Sequence, residues 1–290
     1  MKKRISFEQI TELEPEWVRS KIEEFIQEDM PSGDITTENT ISDSISIEAQ
    51  IIAAEDFIFC GEQFISMCFP QNCSVDLIVK DGIDVSVGQV LVRITGQAST
   101  ILNCERFTLN LTQRLCGIAT ETKKYCDLNL PEHFKIMDTR KTTPGLRKFE
   151  KYAVSVGGGW NHRLNLSASI LLKDNHLKAS GGIRKAIDKI RMDINENIPI
   201  ELEVDTIAQL KEGLSLDLDG YLLDNMSCDK VKDAVSLIRG QKEGEKIFIE
   251  ASGGIDYSLI ESYAWTGVDA VSTSSITAKA PVVDIKMDFN

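Results

Sequence analysis

The sequence predicts an α/β protein in two parts, a small α+β sheet domain followed by a series of βα units. Three observations predict it. Short apolar runs separated by Gly and Asp fill the chain to about residue 98, and one long amphipathic stretch follows from Ser99. Six further apolar runs then recur at intervals of some twenty to thirty-five residues, each ending in polar residues and each followed by a stretch of helical period. Six units fall short of the eight of a standard barrel. An open doubly wound sheet fits the count equally well and also places ligands beyond the carboxyl ends of its strands.

Pro15 at a helix start, with Val18, Ile22, Phe25 and Ile26 on one face, predicts a helix ending near Asp29, stopped by Pro31-Ser32-Gly33-Asp34. Ile45, Ile47, Ala49 and Ile51 alternate with polar neighbours, and residues 57–60, 75–79 and 90–94 add strand-like runs, with one helix near 62–69. From Ser99, a good N-cap, Ile101, Cys104, Thr108, Leu111, Leu115 and Ile118 recur at three and four, a stripe suited to packing two domains together. Beyond it the runs are 134–137, 170–172, 198–204, 220–223, 246–249 and 270–271. At or just past their ends stand Asp138 and Arg140, Lys173, Glu203 and Asp205, Asp224, Ser252 and Ser274. The expected division is an N-terminal domain with linking helix over 1–118, with a tail 279–290 packing back on it, and a domain of βα units over 119–278.

Composition narrows the function. A chain of 290 residues that is 42% hydrophobic can bury a full core. Its net charge of −13 repels nucleic acid and anionic membrane, so a bound anion must be caught by a local basic pocket. Met1-Lys2-Lys3-Arg4 is basic, but no apolar run of signal-peptide or transmembrane length follows. The seven cysteines are odd in number and scattered, which reads as buried thiols in a reducing, cytoplasmic compartment.

The charge is not evenly spread. Residues 135–178 hold nine Lys or Arg against three acids, a local balance of +6 in an acidic chain. Within them lie Asp138-Thr139-Arg140-Lys141-Thr142-Thr143-Pro144-Gly145, Gly157-Gly158-Gly159-Trp160-Asn161-His162-Arg163 and Lys173-Asp174-Asn175-His176. These charges sit at the ends of apolar runs rather than at helical spacing. Arg offers planar forks that match carboxylate or phosphate and Lys a mobile point charge, so the cluster suits a small, multiply anionic ligand.

These three segments closely resemble the signature segments of the quinolinate phosphoribosyltransferase family. The resemblance extends to Glu105-Arg106, Gln113-Arg114-Leu115 and Gly117-Ile118-Ala119-Thr120 on the long helix, and to Gly33-Asp34-Ile35-Thr36 near the N-terminus. It implies an incomplete, six-stranded α/β barrel with an N-terminal α+β sandwich domain. It also implies transfer of a phosphoribosyl group from phosphoribosyl pyrophosphate to quinolinate, with loss of pyrophosphate and carbon dioxide. The family's quinolinate positions fall on Arg106, Arg140, His162, Arg163 and Lys173. Its positions for phosphoribosyl pyrophosphate and magnesium fall on Lys141, Glu203, Asp224, Ser252 and Gly253. Arg106 is expected to reach a neighbouring subunit's site, which makes the protein a homodimer or higher oligomer.

Residue chemistry agrees with that assignment. Glu203 and Asp224, acids at successive strand ends, suit Mg²⁺ held partly by water and substrate phosphate. Ala251-Ser252-Gly253-Gly254 follows a strand and precedes a helix, where backbone N–H groups can approach a phosphate, and Thr273, Ser274 and Ser275 end the last strand in the same manner. Thr139 joins the substrate-binding set, and Lys141, Lys173, Glu203 and Asp224 are expected to carry catalysis. The chain departs from the family pattern at Asn165, Ala168, Ser274 and Ala278, the last two close to the expected phosphate cup. Alternatives on the same fold are a paralogue resembling the molybdenum-transport-associated member of the superfamily and a non-catalytic dicarboxylate-binding protein. The Lys173–His176 segment matches the transferase, and an intact Glu203 and Asp224 argue against lost metal chemistry.

Overall fold

In chain order the secondary structure is α1 (Pro15–Asp29), α2 (Ile35–Thr40), β1 (Ser46–Ala53), β2 (Phe57–Ile58), β3 (Ser74–Leu77), β4 (Asp84–Val85), β5 (Val90–Gln97), α3 (Ala98–Cys126), β6 (Lys135–Met137), α4 (Arg147–Val156), β7 (Ile170–Leu172), α5 (Asp174–Ser180), α6 (Ile183–Asp193), β8 (Ile200–Val204), α7 (Ile207–Leu214), β9 (Gly220–Asp224), α8 (Cys228–Arg239), β10 (Phe248–Ser252), α9 (Ile260–Ala264), β11 (Ala270–Ser272) and β12 (Ile285–Phe289). The computed structural model describes residues 3–42, 44–193 and 198–289; Met1, Lys2 and Asn290 of the two termini lie outside the described residues. These residues form two units. One comprises Ile10–Lys124, Thr143–Gly158 and 279–289; the other comprises 3–9, Tyr125–Thr142 and Gly159–Ala278. No helix among the described residues is long and apolar enough to cross a membrane.

In the first unit, α1 begins at the proline whose missing N–H would be unpaired anyway. Asp34 caps α2 by accepting the N–H groups of Thr36 and Thr37 at 2.9 and 3.1 Å. The sheet is antiparallel in the order β12-β1-β5-β3, so the C-terminal strand pairs with β1 from Ala49↔Phe289 to Ala53↔Ile285. The helix expected near 62–69 is a single 3₁₀ turn, Ile65–Cys68. Pro70 disfavours a helical residue before it and ends the turn. Phe149 of α4 is fully buried against Trp17, Phe64 and Phe25, with ring centroids 4.7, 5.8 and 6.5 Å away. Truncating such a ring removes about 3–5 kcal/mol. Glu150 beside it is also fully buried; Arg114 Nε and Nη2 hold its carboxylate at 3.1 and 3.0 Å.

The second unit carries six parallel strands in the order β6-β11-β10-β9-β8-β7. Strands β7 to β11 add one after another in a single direction, while β6, the first, lies at the far edge beside β11. In a flat sheet a crossing from β6 to β7 would span roughly 24 Å at a spacing of about 4.8 Å. Instead one short segment touches both edges. Trp160 exchanges backbone hydrogen bonds with Ile136 and Asp138 along β6, at 2.8 and 3.0 Å. Three residues on, Arg163 Nη1 donates to the carbonyl of Ser169, next to β7, at 2.9 Å. His162, between them, lies within 4 Å of side chains from β8 and β10: 3.8 Å from Glu201 and 3.5 Å from Glu250. The sheet is therefore rolled into a six-stranded barrel, and residues 160–163 span the seam left by the missing strands.

Alternation along the strands points Glu201 and Glu203 of β8 to one face, and Glu250 and Ser252 of β10 likewise. Strand β10 runs later than the expected 246–249. Glu250 looks like a polar strand end in the sequence but is a fully buried interior residue. Residues 3–9 close the amino-terminal end of the barrel, where Ile5 packs with Met137, Phe248 and Ala270, and Phe7 lies against them.

Candidate functional site

The site is assembled at the carboxyl ends of the barrel strands. β6 ends into Asp138, which is fully buried and anchors the seam segment: Oδ1 accepts the His162 N–H at 2.8 Å and Oδ2 accepts Asn161 Nδ2 at 2.9 Å. Thr139 Oγ1 accepts the Lys141 N–H at 3.0 Å, which tightens the turn that carries Arg140. Lys141 itself is exposed, and its carbonyl accepts the Thr277 hydroxyl at 3.0 Å.

Arg140 and Arg163 form the cationic centre. Arg163 is only 5% exposed. Burial, and then the neighbouring charge of Arg140, depress its pKa, with Glu201 and Glu250 opposing. The Nε of Arg140 is buried and has no acceptor. Two guanidiniums that feel one another's charge, one with an unmatched donor, are suited to an anion.

Beneath these cations lies an acidic layer that the sequence reading did not single out. Glu201 and Glu250 are 1% and 0% exposed, and both Glu201 oxygens and Glu250 Oε2 are without hydrogen-bond partners. Ser272 Oγ donates to Glu250 Oε1 at 3.1 Å. Burial above all, and then the charge of Glu250, raise the Glu201 pKa well above the ordinary carboxylate range. With His162 the two acids have the spacing of a metal site, one ligand atom each within 4.8 Å. The ring argues otherwise. His162 Nδ1 accepts the Arg163 N–H at 2.7 Å, which leaves the ring proton on Nε2, the nitrogen that faces the acids. One signal in the sequence could have exposed the layer: period-two alternation puts Glu201 on the same face as Glu203.

Lys173 follows β7, where its N–H donates to His176 Nδ1 at 3.0 Å as α5 begins. Its Nζ bonds Glu203 Oε2 at the end of β8. Asp224 ends β9, and burial first, then the charge of Glu203, raise its pKa. Two oxygen-donor acids that repel one another at adjacent strand ends fit a hard divalent cation. Asp224 also accepts Asn225 Nδ2 at 2.6 Å.

The glycine turn stands next to them. Asn225 N–H donates to the Ser252 carbonyl at 2.9 Å, and Gly253 follows at φ +89°. A Cβ on Gly253 would lie 2.5 Å from Asn225 Oδ1 and 2.8 Å from its backbone nitrogen, so only glycine fits. Gly254, at φ +64°, faces open space. Ser252 Oγ donates to the Ser272 carbonyl at 3.3 Å, and Thr273 N–H donates to Met137 at 2.9 Å. Ser274 and Ser275 are half-buried beyond the end of β11, where Thr273 Oγ1 accepts the Ser275 N–H at 3.2 Å.

The barrel unit thus contains every candidate residue except Arg106. That side chain belongs to the other unit, is 64% exposed, and lines a cleft of about 440 Å³ with Lys21, Glu24, Glu28 and Asp29.

Comparison with known proteins places this architecture. Residues 34–116 match the N-terminal domain of quinolinate phosphoribosyl transferase and residues 118–288 its C-terminal domain. The chain is 38% identical over 274 residues to the Bacillus subtilis protein named "Probable nicotinate-nucleotide pyrophosphorylase (carboxylating)", covering 93% of each. Among solved structures, the nicotinate-nucleotide pyrophosphorylase of Francisella tularensis aligns at a TM-score of 0.86 with 33% identity, over 98% of this chain and 100% of that one. NadC of Streptococcus pyogenes aligns at 0.88 with 34% identity, over 97% and 99%. The chain belongs to the quinolinate phosphoribosyltransferase family.

Proposed function

We propose that this protein transfers the phosphoribosyl group of phosphoribosyl pyrophosphate to the ring nitrogen of quinolinate and releases pyrophosphate and carbon dioxide. The product is nicotinate mononucleotide, a precursor in de novo NAD biosynthesis. The observation that carries the reading is the Arg140–Arg163 pair, with a buried, unmatched Arg140 Nε, in a chain of net charge −13. A ring bearing two adjacent carboxylates supplies the charge this pair lacks, and Lys173 adds a mobile cation.

Each residue has a task. Arg140, Arg163 and Lys173 bind and orient the dicarboxylate, so that its ring nitrogen faces the sugar. The turn of Ser252, Gly253 and Gly254, with Thr273 to Ser275, presents N–H and hydroxyl groups to phosphate. Lys141 neutralises the leaving diphosphate. Glu203 and Asp224 would hold Mg²⁺, which when bound supplies charge neutralisation to the departing pyrophosphate. As pyrophosphate leaves, the ribose becomes oxocarbenium-like, a charge that nearby carboxylates tolerate. Once ribosylated, the pyridinium nitrogen stabilises the electron pair left at C2, so carboxylate loss requires mainly that the ring be held in place.

The exposed Arg106 supports a homodimer or larger assembly in which this arginine completes a neighbour's site. The test is direct: purified protein with quinolinate, phosphoribosyl pyrophosphate and Mg²⁺ should yield mononucleotide and carbon dioxide in equal amounts. Nicotinate in place of quinolinate should fail, because a single carboxylate leaves buried cations unpaired. Equal turnover of the two acids would refute the reading.

A further inference from the structure

We propose that the N-terminal arm, residues 3–9, is a positioning element of the dicarboxylate site, acting through Phe7 and Gln9 on residues 161–163. The proposal rests on the functional reading above and adds residues that touch neither substrate nor metal.

The arm is bolted at its start. Arg4 N–H donates to the Lys246 carbonyl at 2.8 Å, its guanidinium meets Asp217 at 2.8 Å, and Lys3 Nζ meets Asp269 at 2.8 Å. Ile5 fills the space over Gly220, where a Cβ would come within 2.4 Å of Ile5 Cδ1. At its other end the Gln9 side chain behaves as a strand partner: Oε1 accepts the Asn161 N–H at 2.8 Å and Nε2 donates to the Asn161 carbonyl at 3.1 Å. Between the two ends, the Phe7 ring stacks on His162 at 4.3 Å and 24°, and meets Phe248 edge-on at 6.1 Å.

His162 passes this constraint to Arg163. Its Nδ1 accepts the Arg163 N–H, so tilting the ring would turn the peptide that sets the direction of the arginine. Glu201 and Glu250 face the opposite edge of the ring at 3.8 and 3.5 Å, and Asp138 holds Asn161 from the β6 side. Phe7 and Gln9 hold the segment from the side of the arm. Loosening them should misalign Arg163 with Arg140 while leaving the phosphate turn on β10 and β11 untouched.

The test compares full-length wild type with Phe7→Ala, Phe7→Tyr and Gln9→Ala, measuring KM for each substrate and hydrogen exchange of the Asn161 amide. Both alanine variants should raise KM for quinolinate about tenfold, as loss of one aromatic stack or a bidentate hydrogen bond does. KM for phosphoribosyl pyrophosphate should stay within about twofold. Phe7→Tyr should restore the wild-type value, and Gln9→Ala should speed exchange at Asn161. The proposal is overturned if quinolinate KM is unchanged, whatever the exchange at Asn161, or if both KM values rise together and Phe7→Tyr behaves as Phe7→Ala. Should Phe7→Ala fail to fold, Gln9→Ala decides alone. An inactive wild type would instead refute the functional reading, and the exchange measurement, which needs no turnover, would still decide whether the arm holds the segment.

Discussion

Lys173 and Glu203, at the carboxyl ends of neighbouring strands β7 and β8, hold each other across the mouth of the barrel. On the function proposed above, Glu203 would do two things: steady a cation that binds substrate and offer oxygen to a metal. Glu203→Ala is expected to lower turnover by more than about 10²-fold and to flatten the Mg²⁺ dependence of what remains. A Mg²⁺ titration of activity checks this, and a wild-type metal response would exclude Glu203 as a ligand.

Arg140 contributes an unmatched donor rather than a structural bond, so its loss should be felt by the ligand and not by the fold. Arg140→Ala is expected to weaken quinolinate binding by roughly 10²-fold, the scale of a charge-assisted hydrogen-bond pair. Calorimetric titration combined with thermal melting tests this. Wild-type affinity, or a large fall in melting temperature, would contradict it.

Gly253 is required by two independent constraints, its φ of +89° and the 2.5 Å approach a Cβ would make to Asn225. Gly253→Ala should therefore destabilise the protein by about 1–2 kcal/mol or more and raise KM for phosphoribosyl pyrophosphate. Denaturant melts and kinetics with the donor as varied substrate provide the check. An unaffected donor KM would remove this turn from the phosphate site.

Asp81 gives a pH prediction in the other unit. Its carboxylate accepts the N–H groups of Gly61 and Glu62 at 2.6 and 2.9 Å and the Tyr152 hydroxyl. Burial nonetheless outweighs these bonds and raises its pKa. A carboxyl whose folded pKa exceeds its unfolded value binds a proton more readily in the folded state. Its stability contribution is present below the unfolded value of about 3.9 and is lost as pH rises through the folded value. Urea unfolding of wild type and Asp81→Asn across the acidic range should show the variant losing less stability as pH rises through that window. Parallel pH profiles would contradict the assignment.

Much of this could be read in the sequence because it depends on local periodicity. The 3.6-residue stripe of Pro15–Asp29 and the six apolar runs each report one element. Barrel closure was not legible from the count of units, which does not say whether β6 pairs with β7 or with β11; it came only from the family resemblance. Glu201 and Glu250 were hidden for a different reason. A charge within a strand reads as an exposed position, whereas the barrel interior holds it beside His162 and Arg163. Phe7 and Gln9 lie in a stretch with no periodicity, and their role depends on a segment 150 or so residues away. The cation cluster was legible in part: Arg140, Lys141 and Lys173 do follow strand ends, but Arg147, Lys148 and Lys151, expected among them, lie at helical spacing on α4 in the other unit, and the sequence could not show which way each side chain faces. His162 illustrates this: its Nδ1 is engaged by a backbone N–H and its Nε2 faces carboxylates.

The central claim is that the few clustered cations of an acidic chain converge on one doubly carboxylated ring. Soaking crystals with quinolinate measures this most directly. The account predicts the ring at the carboxyl ends of the barrel strands, with its two carboxylates on Arg140, Arg163 and Lys173. Quinolinate bound elsewhere, or those three side chains turned away from it into solvent, would contradict it.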